Sequence, residues 1–176
     1  PGLHWAREAA AIEWDAVTRN NLGIALLHAG DPWAAREAFL AGKSELEIHH
    51  AFVRGANCTD DTLPYPTIVC LDAKAAILHY HAKRAEGSGK LLLLDAGASD
   101  HGYGSDITRT SASPACDPKF KALIDAVDRI QQELCAMVRP GPSYVGIHLE
   151  AHRKIGAALI EHGVLKGSLD AAIEKR

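Results

Sequence analysis

Apolar positions recur along this chain with two different periods. They are helical in its first part, alternate like strands in its middle, and are helical again at its end. Residues from about 5 to 28 carry Ala, Ile, Leu and Trp at mixed spacings of three and four, with Gly30 as the expected stop. Asp31-Pro32 supplies an N-cap with proline at the first helical position, opening a second helix through Ala34, Ala35, Ala38 and Phe39 to Gly42. Ser44 and Glu47 form a capping box that starts a third helix through Ile48, Phe52 and Val53 to Gly55.

After Leu63-Pro-Tyr-Pro66 the pattern changes to short β-rich runs. Thr67 to Leu71 and Ala75 to Tyr80 flank a polar turn at Asp72-Ala-Lys74, and Leu91 to Ala98 and Tyr103 to Ser111 flank Ser99-Asp-His-Gly102, whose composition predicts a hairpin. Asp117-Pro118 then caps a helix from about 118 to 138. Its stripe of Phe120, Leu123, Ile124, Val127, Ile130, Leu134 and Val138 predicts core or an interface. Pro140-Gly-Pro142 stops it, and Ser143 caps a last helix ending at Gly163. Helices, an antiparallel sheet, then helices make the predicted class α+β.

Composition adds exclusions. The 176 residues are 47% hydrophobic and 23% charged, enough for a real core. Nineteen Lys and Arg against 22 Asp and Glu leave a formal charge of -3, so nucleic acid and anionic membrane surfaces are not expected partners. No apolar run is longer than Leu91 to Leu94, far short of the roughly 20 residues of a membrane-spanning helix. Cys58, Cys70, Cys116 and Cys135 form no Cys-x-x-Cys pair. They read as buried free thiols in a reducing, cytoplasmic compartment, with secretion as the alternative that their even number leaves open. The start at Pro1 and the finish inside a helix-like Leu169 to Arg176 read as the ends of a fragment.

The candidate chemistry lies in the hairpin. With its turn centred between Asp100 and His101, Asp95 would face Asp106 directly and Thr108 would sit on the same face opposite Leu93. Facing carboxylates about 4.5–5.5 Å apart at Cβ repel unless a cation lies between them. Such a pair can bridge two metal ions. The plain alternative is that Asp95 merely ends a strand and Asp106 is solvated. Four leucines before Asp95 argue against it, because a buried strand leaves its terminal carboxylate needing a partner.

Asp95-Ala-Gly followed by Tyr103-Gly-Ser-Asp106-Ile-Thr-Arg-Thr110 resembles the metal-binding hairpin of the pita-bread metallopeptidases. Leu63-Pro-Tyr-Pro-Thr-Ile-Val69, Ala75-Ala-Ile-Leu-His79-Tyr80 and Pro140-Gly-Pro-Ser-Tyr144 with His148 are similar to the Xaa-Pro dipeptidases (prolidases) among them. The resemblance covers roughly residues 30 to 165. It implies a partial pita-bread fold, with 1–29 as a linker and first helix and 30–176 as the N-terminal portion of the catalytic domain. It also implies metal-dependent hydrolysis of Xaa-Pro dipeptides by a metal-bridging water. Asp95 and Asp106 would be ligands of two divalent ions, with manganese first and cobalt or zinc as alternatives. His79 would contact substrate and intermediate, and Thr108 would support the ligands by hydrogen bonding. A homodimer is implied too.

The chain departs from that pattern where Asp100-His101 replaces a common Glu-Tyr. The family's ligating histidine and two glutamates would lie beyond Arg176, in the remaining C-terminal part of the enzyme or on a separate chain, so the isolated chain is expected to be inactive. The alternatives are an aminopeptidase P acting on longer Xaa-Pro peptides and a non-catalytic pita-bread binding module.

Other signals carry less. His148-Leu-Glu-Ala-His152 lacks the Glu that must follow the first His of a zinc-protease helix, so its histidines read as surface residues. Gly87-Ser-Gly-Lys90 lacks the first glycine of a phosphate-binding loop and reads as a turn. His81 reads as a polar neighbour of His79, and Trp5, Trp14 and Trp33 read as packing residues.

Overall fold

A computed structural model of the chain describes residues 33–100, 103–139 and 141–169. The helix expected over 5 to 28, the Asp31-Pro32 cap, Trp5, Trp14 and His101 lie outside the described residues. These fall into two units that divide between Cys116 and Asp117.

The first unit opens with α1 (Trp33–Leu40) and α2 (Glu45–Gly55). Gly42 adopts a φ of 76°, and the amides of Gly42 and Lys43 return to the carbonyls of Phe39 and Ala38. This is the paired closure that a left-handed residue just past a helix allows, and it is why the glycine stops α1. At the start of α2 the predicted capping box is present: the Ser44 hydroxyl accepts from the Glu47 amide, and the Glu47 carboxylate accepts from the Ser44 amide at 2.9 Å. Trp33, expected to pack, opens α1 at 57% exposure.

The sheet has the order β1 (Ile68–Leu71), β2 (Leu91–Ala96), β5 (Ile107–Ala112), all antiparallel. A second, two-stranded ladder, β3 (Ser99–Asp100) with β4 (Tyr103–Gly104), extends the hairpin toward its tip. One face of the main sheet presents Val69, Leu71, Leu92 and Ala96 to Ala35, Phe39, Ile48 and Phe52 of the two helices, and these residues form the core. Strand alternation sends the intervening side chains to the opposite face, where Ile68, Asp95 and Thr108 stand in one row across three strands.

The strand expected over Ala75 to Tyr80 is not formed. Asp72 takes a φ of 53° and accepts the amides of Lys90 and Leu91 on one carboxylate oxygen, which turns the chain into a 3-10 helix over Asp72–Ala76. Beyond it the Tyr80 hydroxyl and the Arg84 amide reach Glu45 at the start of α2, and the chain does not continue along a strand.

In the second unit α3 (Pro118–Ala136) pairs with α4 (Tyr144–Glu161). Ala126 and Ile130, flanked by Leu134, meet Ala158, and Lys154 reaches Glu133 at 2.8 Å. Only part of the predicted stripe is used within this unit, since Phe120 and Val127 are exposed. Gly163, at a φ of 70°, closes α4 as Gly42 closes α1. Among the described residues no helix is long and apolar enough to cross a membrane, and all four cysteines are free thiols.

Candidate functional site

The hairpin register differs from the expected one. Both ladders are centred one residue later than expected, so Asp95 pairs with Thr108 rather than with Asp106, and Leu93 pairs with Thr110. Each predicted partner is displaced by two positions. Because side chains alternate with a period of two, an even shift leaves every residue on its expected face. Asp106 therefore remains a neighbour of Asp95, on the diagonal rather than directly opposite.

Backbone contacts at the hairpin explain the spacing of Asp95, Gly97, Gly104 and Asp106. Between the two ladders the chain is held by Ser105, whose amide donates to the Ala98 carbonyl at 2.9 Å and whose hydroxyl accepts the Ala98 amide at 3.0 Å. A Cβ on Gly97 would lie 1.9 Å from the Ser105 carbonyl oxygen and 2.9 Å from Pro64, and one on Gly104 would lie 3.0 Å from Pro64. Position 97 therefore admits only glycine. The ring of Pro64 rests where these two side chains are missing, and that seats Tyr65 beside the carboxylates.

Tyr65 is the residue that the sequence analysis missed. Its hydroxyl lies 2.8 Å from Oδ1 of Asp95 and 2.9 Å from Oδ1 of Asp106. A phenol has one proton and two carboxylates cannot donate, so these two anions converge on a single proton donor. Burial first, then hydrogen bonds to Asp95 and Asp106, push the phenol well above its ordinary value, and it stays protonated. The Pro-Tyr-Pro run was visible, but these partners lie 30 and 41 residues away in sequence.

These side chains form one wall of a cleft of about 350 Å³ lined by Tyr65, Pro66, Ile68, His79, His81, Asp95 and Asp106. The cleft thus unites three of the four expected site residues. Thr108 faces Asp95 but does not line it. His79 has a left-handed backbone, with a φ of 56°, and its ring stacks on that of His81 at 6.4 Å and 16°. His81 is therefore a cleft residue and more than a polar neighbour. In the second unit, His148 and His152 lie on exposed α4 surface with ring nitrogens 3.2 Å apart.

Two anionic oxygens around one small donor suit a hard or borderline divalent cation, whose full positive charge would take over from the phenol's hydrogen bond in balancing both carboxylates. Among the described residues no group of three or more His, Cys, Asp or Glu comes together at metal-binding distances. Asp95 and Asp106 thus fit a divalent ion as two members of a larger ligand set.

Comparison with known proteins agrees with this chemistry. The model of metallopeptidase family M24 matches residues 15–173. An Xaa-Pro dipeptidase of Stenotrophomonas maltophilia is 40% identical over 171 residues, covering 93% of this chain and 38% of that protein. An Xaa-Pro dipeptidase of Marinobacter nauticus is 42% identical over 142 residues, covering 80% of this chain and 33% of the other. Zinc-substituted Escherichia coli aminopeptidase P in complex with product superposes with a TM-score of 0.70 at 23% identity, over 97% of this chain and 44% of that one. This last likeness concerns the fold, which is the α+β pita-bread architecture. The chain spans well under half the length of each of these proteins.

Proposed function

The chain belongs to metallopeptidase family M24, and on that footing we propose that it forms the first part of the catalytic domain of an Xaa-Pro dipeptidase. In a protein of the relatives' full length, Asp95 and Asp106 would hold two divalent ions, and His79 would contact the substrate. The observation that carries this reading is the convergence of both carboxylates on the Tyr65 hydroxyl, in a cleft that His79 also lines. The all-oxygen pair favours manganese over softer metals, with cobalt and zinc as alternatives. Bound there, the ions supply Lewis acidity that polarises a carbonyl and makes water nucleophilic near neutral pH.

The chain's own residues have separable tasks. Asp95 and Asp106 concentrate negative charge on one wall of the cleft. Tyr65 keeps a proton between them in the absence of a cation, which limits their repulsion. His79 presents an imidazole to the same space, where it can donate to a developing oxyanion. Thr108, directly opposite Asp95, can orient that carboxylate with its hydroxyl. Four free thiols support a reducing, cytoplasmic location.

The 176 residues by themselves would be inactive. Two carboxylates offer four oxygens, whereas two five- or six-coordinate ions require about ten donor positions, which bridging ligands reduce only in part. The rest of the ligand set would come from the remainder of the enzyme or from a second polypeptide. Steady manganese-dependent turnover of Ala-Pro by the 176-residue chain alone would refute that part of the proposal.

An aminopeptidase P is the second reading, because the pita-bread fold is shared with the Escherichia coli enzyme and does not by itself choose between the two activities. Assaying a protein of full length against Ala-Pro and against a tripeptide with proline second separates the two. Cleavage of the dipeptide alone supports the dipeptidase and cleavage of the tripeptide supports the aminopeptidase. A complete protein that binds no metal would instead be a binding module.

A further inference from the structure

We infer that Glu45 is a positioning residue that clamps the segment 71–84 and so holds His79 and His81 at the wall of the cleft. Only the catalytic meaning of His79 rests on the proposed function, because the clamp itself is visible in the geometry. Glu45 is the first residue of α2 and its side chain is fully buried. Its Oε1 accepts the Leu71 amide at 3.0 Å and pairs with the Lys74 ammonium. Its Oε2 accepts the Tyr80 hydroxyl at 2.9 Å and the Arg84 amide at 3.1 Å. The next residue of α2, Leu46, donates its amide to the Arg84 carbonyl at 3.0 Å. One carboxylate therefore gathers both ends of a 14-residue segment and two of its side chains.

The segment needs such an anchor. Ile77 and Leu78 are 53% and 85% exposed, and His79 itself is exposed, so apolar packing contributes little to holding them. The left-handed backbone at His79 is strained for a residue with a Cβ and persists only where flanking contacts over-determine it. Tyr80, the next residue, supplies one such contact directly to Glu45.

The nature of the anchor is informative. A fully buried carboxylate is expensive unless every lone pair is satisfied, and an apolar plug of similar volume would stabilise the same site without that cost. What the charge adds is direction. Four donors at fixed angles set the path of a segment that has almost no core of its own. Burial alone would push Glu45 up, yet Lys74, the amides of Arg84 and Leu71 and the Tyr80 hydroxyl together bring it below the ordinary carboxylate range, and the clamp stays anionic at neutral pH.

The test uses Tyr80→Phe, which removes one hydroxyl, and Glu45→Gln, which removes the charge. In the 176-residue chain, NMR of the histidine rings is expected to give a nuclear Overhauser effect between His79 and His81. This signal should be lost in both variants while the signals of His148 and His152 stay in place. If Glu45→Gln does not fold, Tyr80→Phe decides alone. Retention of the His79–His81 contact in a folded Tyr80→Phe chain overturns the inference. In a protein of full length, Tyr80→Phe is expected to lower kcat at least tenfold with metal content unchanged, and an unchanged kcat beside a lost His79–His81 contact would overturn the catalytic role given to His79. Absence of Xaa-Pro hydrolysis in the unsubstituted protein would refute the proposed function while leaving the NMR result to judge the clamp.

Discussion

Tyr65 donates its hydroxyl to Asp95 over 2.8 Å, and the same oxygen lies 2.9 Å from Asp106. Tyr65→Phe leaves the two neighbouring carboxylates without their donor. A hydrogen bond to a charged group contributes about 1.5–3 kcal/mol, and the metal-free chain should lose stability in that range. A divalent ion would take over the donor's task, so adding manganese should recover more stability in the variant than in the unsubstituted chain. Urea unfolding at neutral pH with and without manganese measures both effects. An equal deficit under both conditions would contradict the account.

Gly97 sets the spacing of the two carboxylates. In Gly97→Ala a methyl group would meet the Ser105 carbonyl oxygen at 1.9 Å, so the backbone must move. Overpacking of this kind costs about 1–3 kcal/mol, and here it falls between Asp95 and Asp106. The expected result is a lower unfolding midpoint together with weaker manganese binding. An alanine at Gly42, which has open space around it, is a control that strains the backbone far from the cleft.

His49 gives the fold a pH dependence with a definite sign. It is buried, its Nδ1 lies 2.7 Å from the Thr67 hydroxyl, and its Nε2 lies 2.9 Å from Asp60. Desolvation lowers its pKa from 6.5, against an opposing pull from Asp60, with Lys83 and His50 lowering it further. Between the lowered value and 6.5 the unfolded chain binds more protons than the folded one. The stabilisation is therefore complete above pH 6.5 and is lost as pH falls through the folded value. The unfolding midpoint should drop from pH 7.5 to pH 5, and His49→Gln should be less stable at pH 7.5 but show a flatter slope.

Local chemistry was readable in the sequence wherever it decided the structure. Ser44 with Glu47, Gly42 and Gly163 act within a few residues of themselves, and each marks the helix end expected of it. The hairpin was legible as a hairpin, but its glycines at 97, 102 and 104 fixed no single turn centre, and the expected register was displaced by two positions. The shift was even, so the pairing of Asp95 with Asp106 was wrong in detail while their shared face was right.

What could not be read depended on distant partners. Ala75 to Tyr80 has strand-like composition, yet a carboxylate 35 residues before Tyr80 determines its path. Tyr65 was an ordinary member of a proline-flanked run until the fold brought it to two aspartates. Neither contact has a signature within one window of sequence.

The central claim is that Asp95 and Asp106 together bind a divalent ion. Titrating manganese into the 176-residue chain and into Asp95→Asn and Asp106→Asn, with free ion followed by electron paramagnetic resonance, tests it most directly. The account predicts saturable binding by the unsubstituted chain and at least tenfold weaker binding by either variant, with both variants still folded. Equal binding by all three chains, or none by the unsubstituted chain, would contradict it.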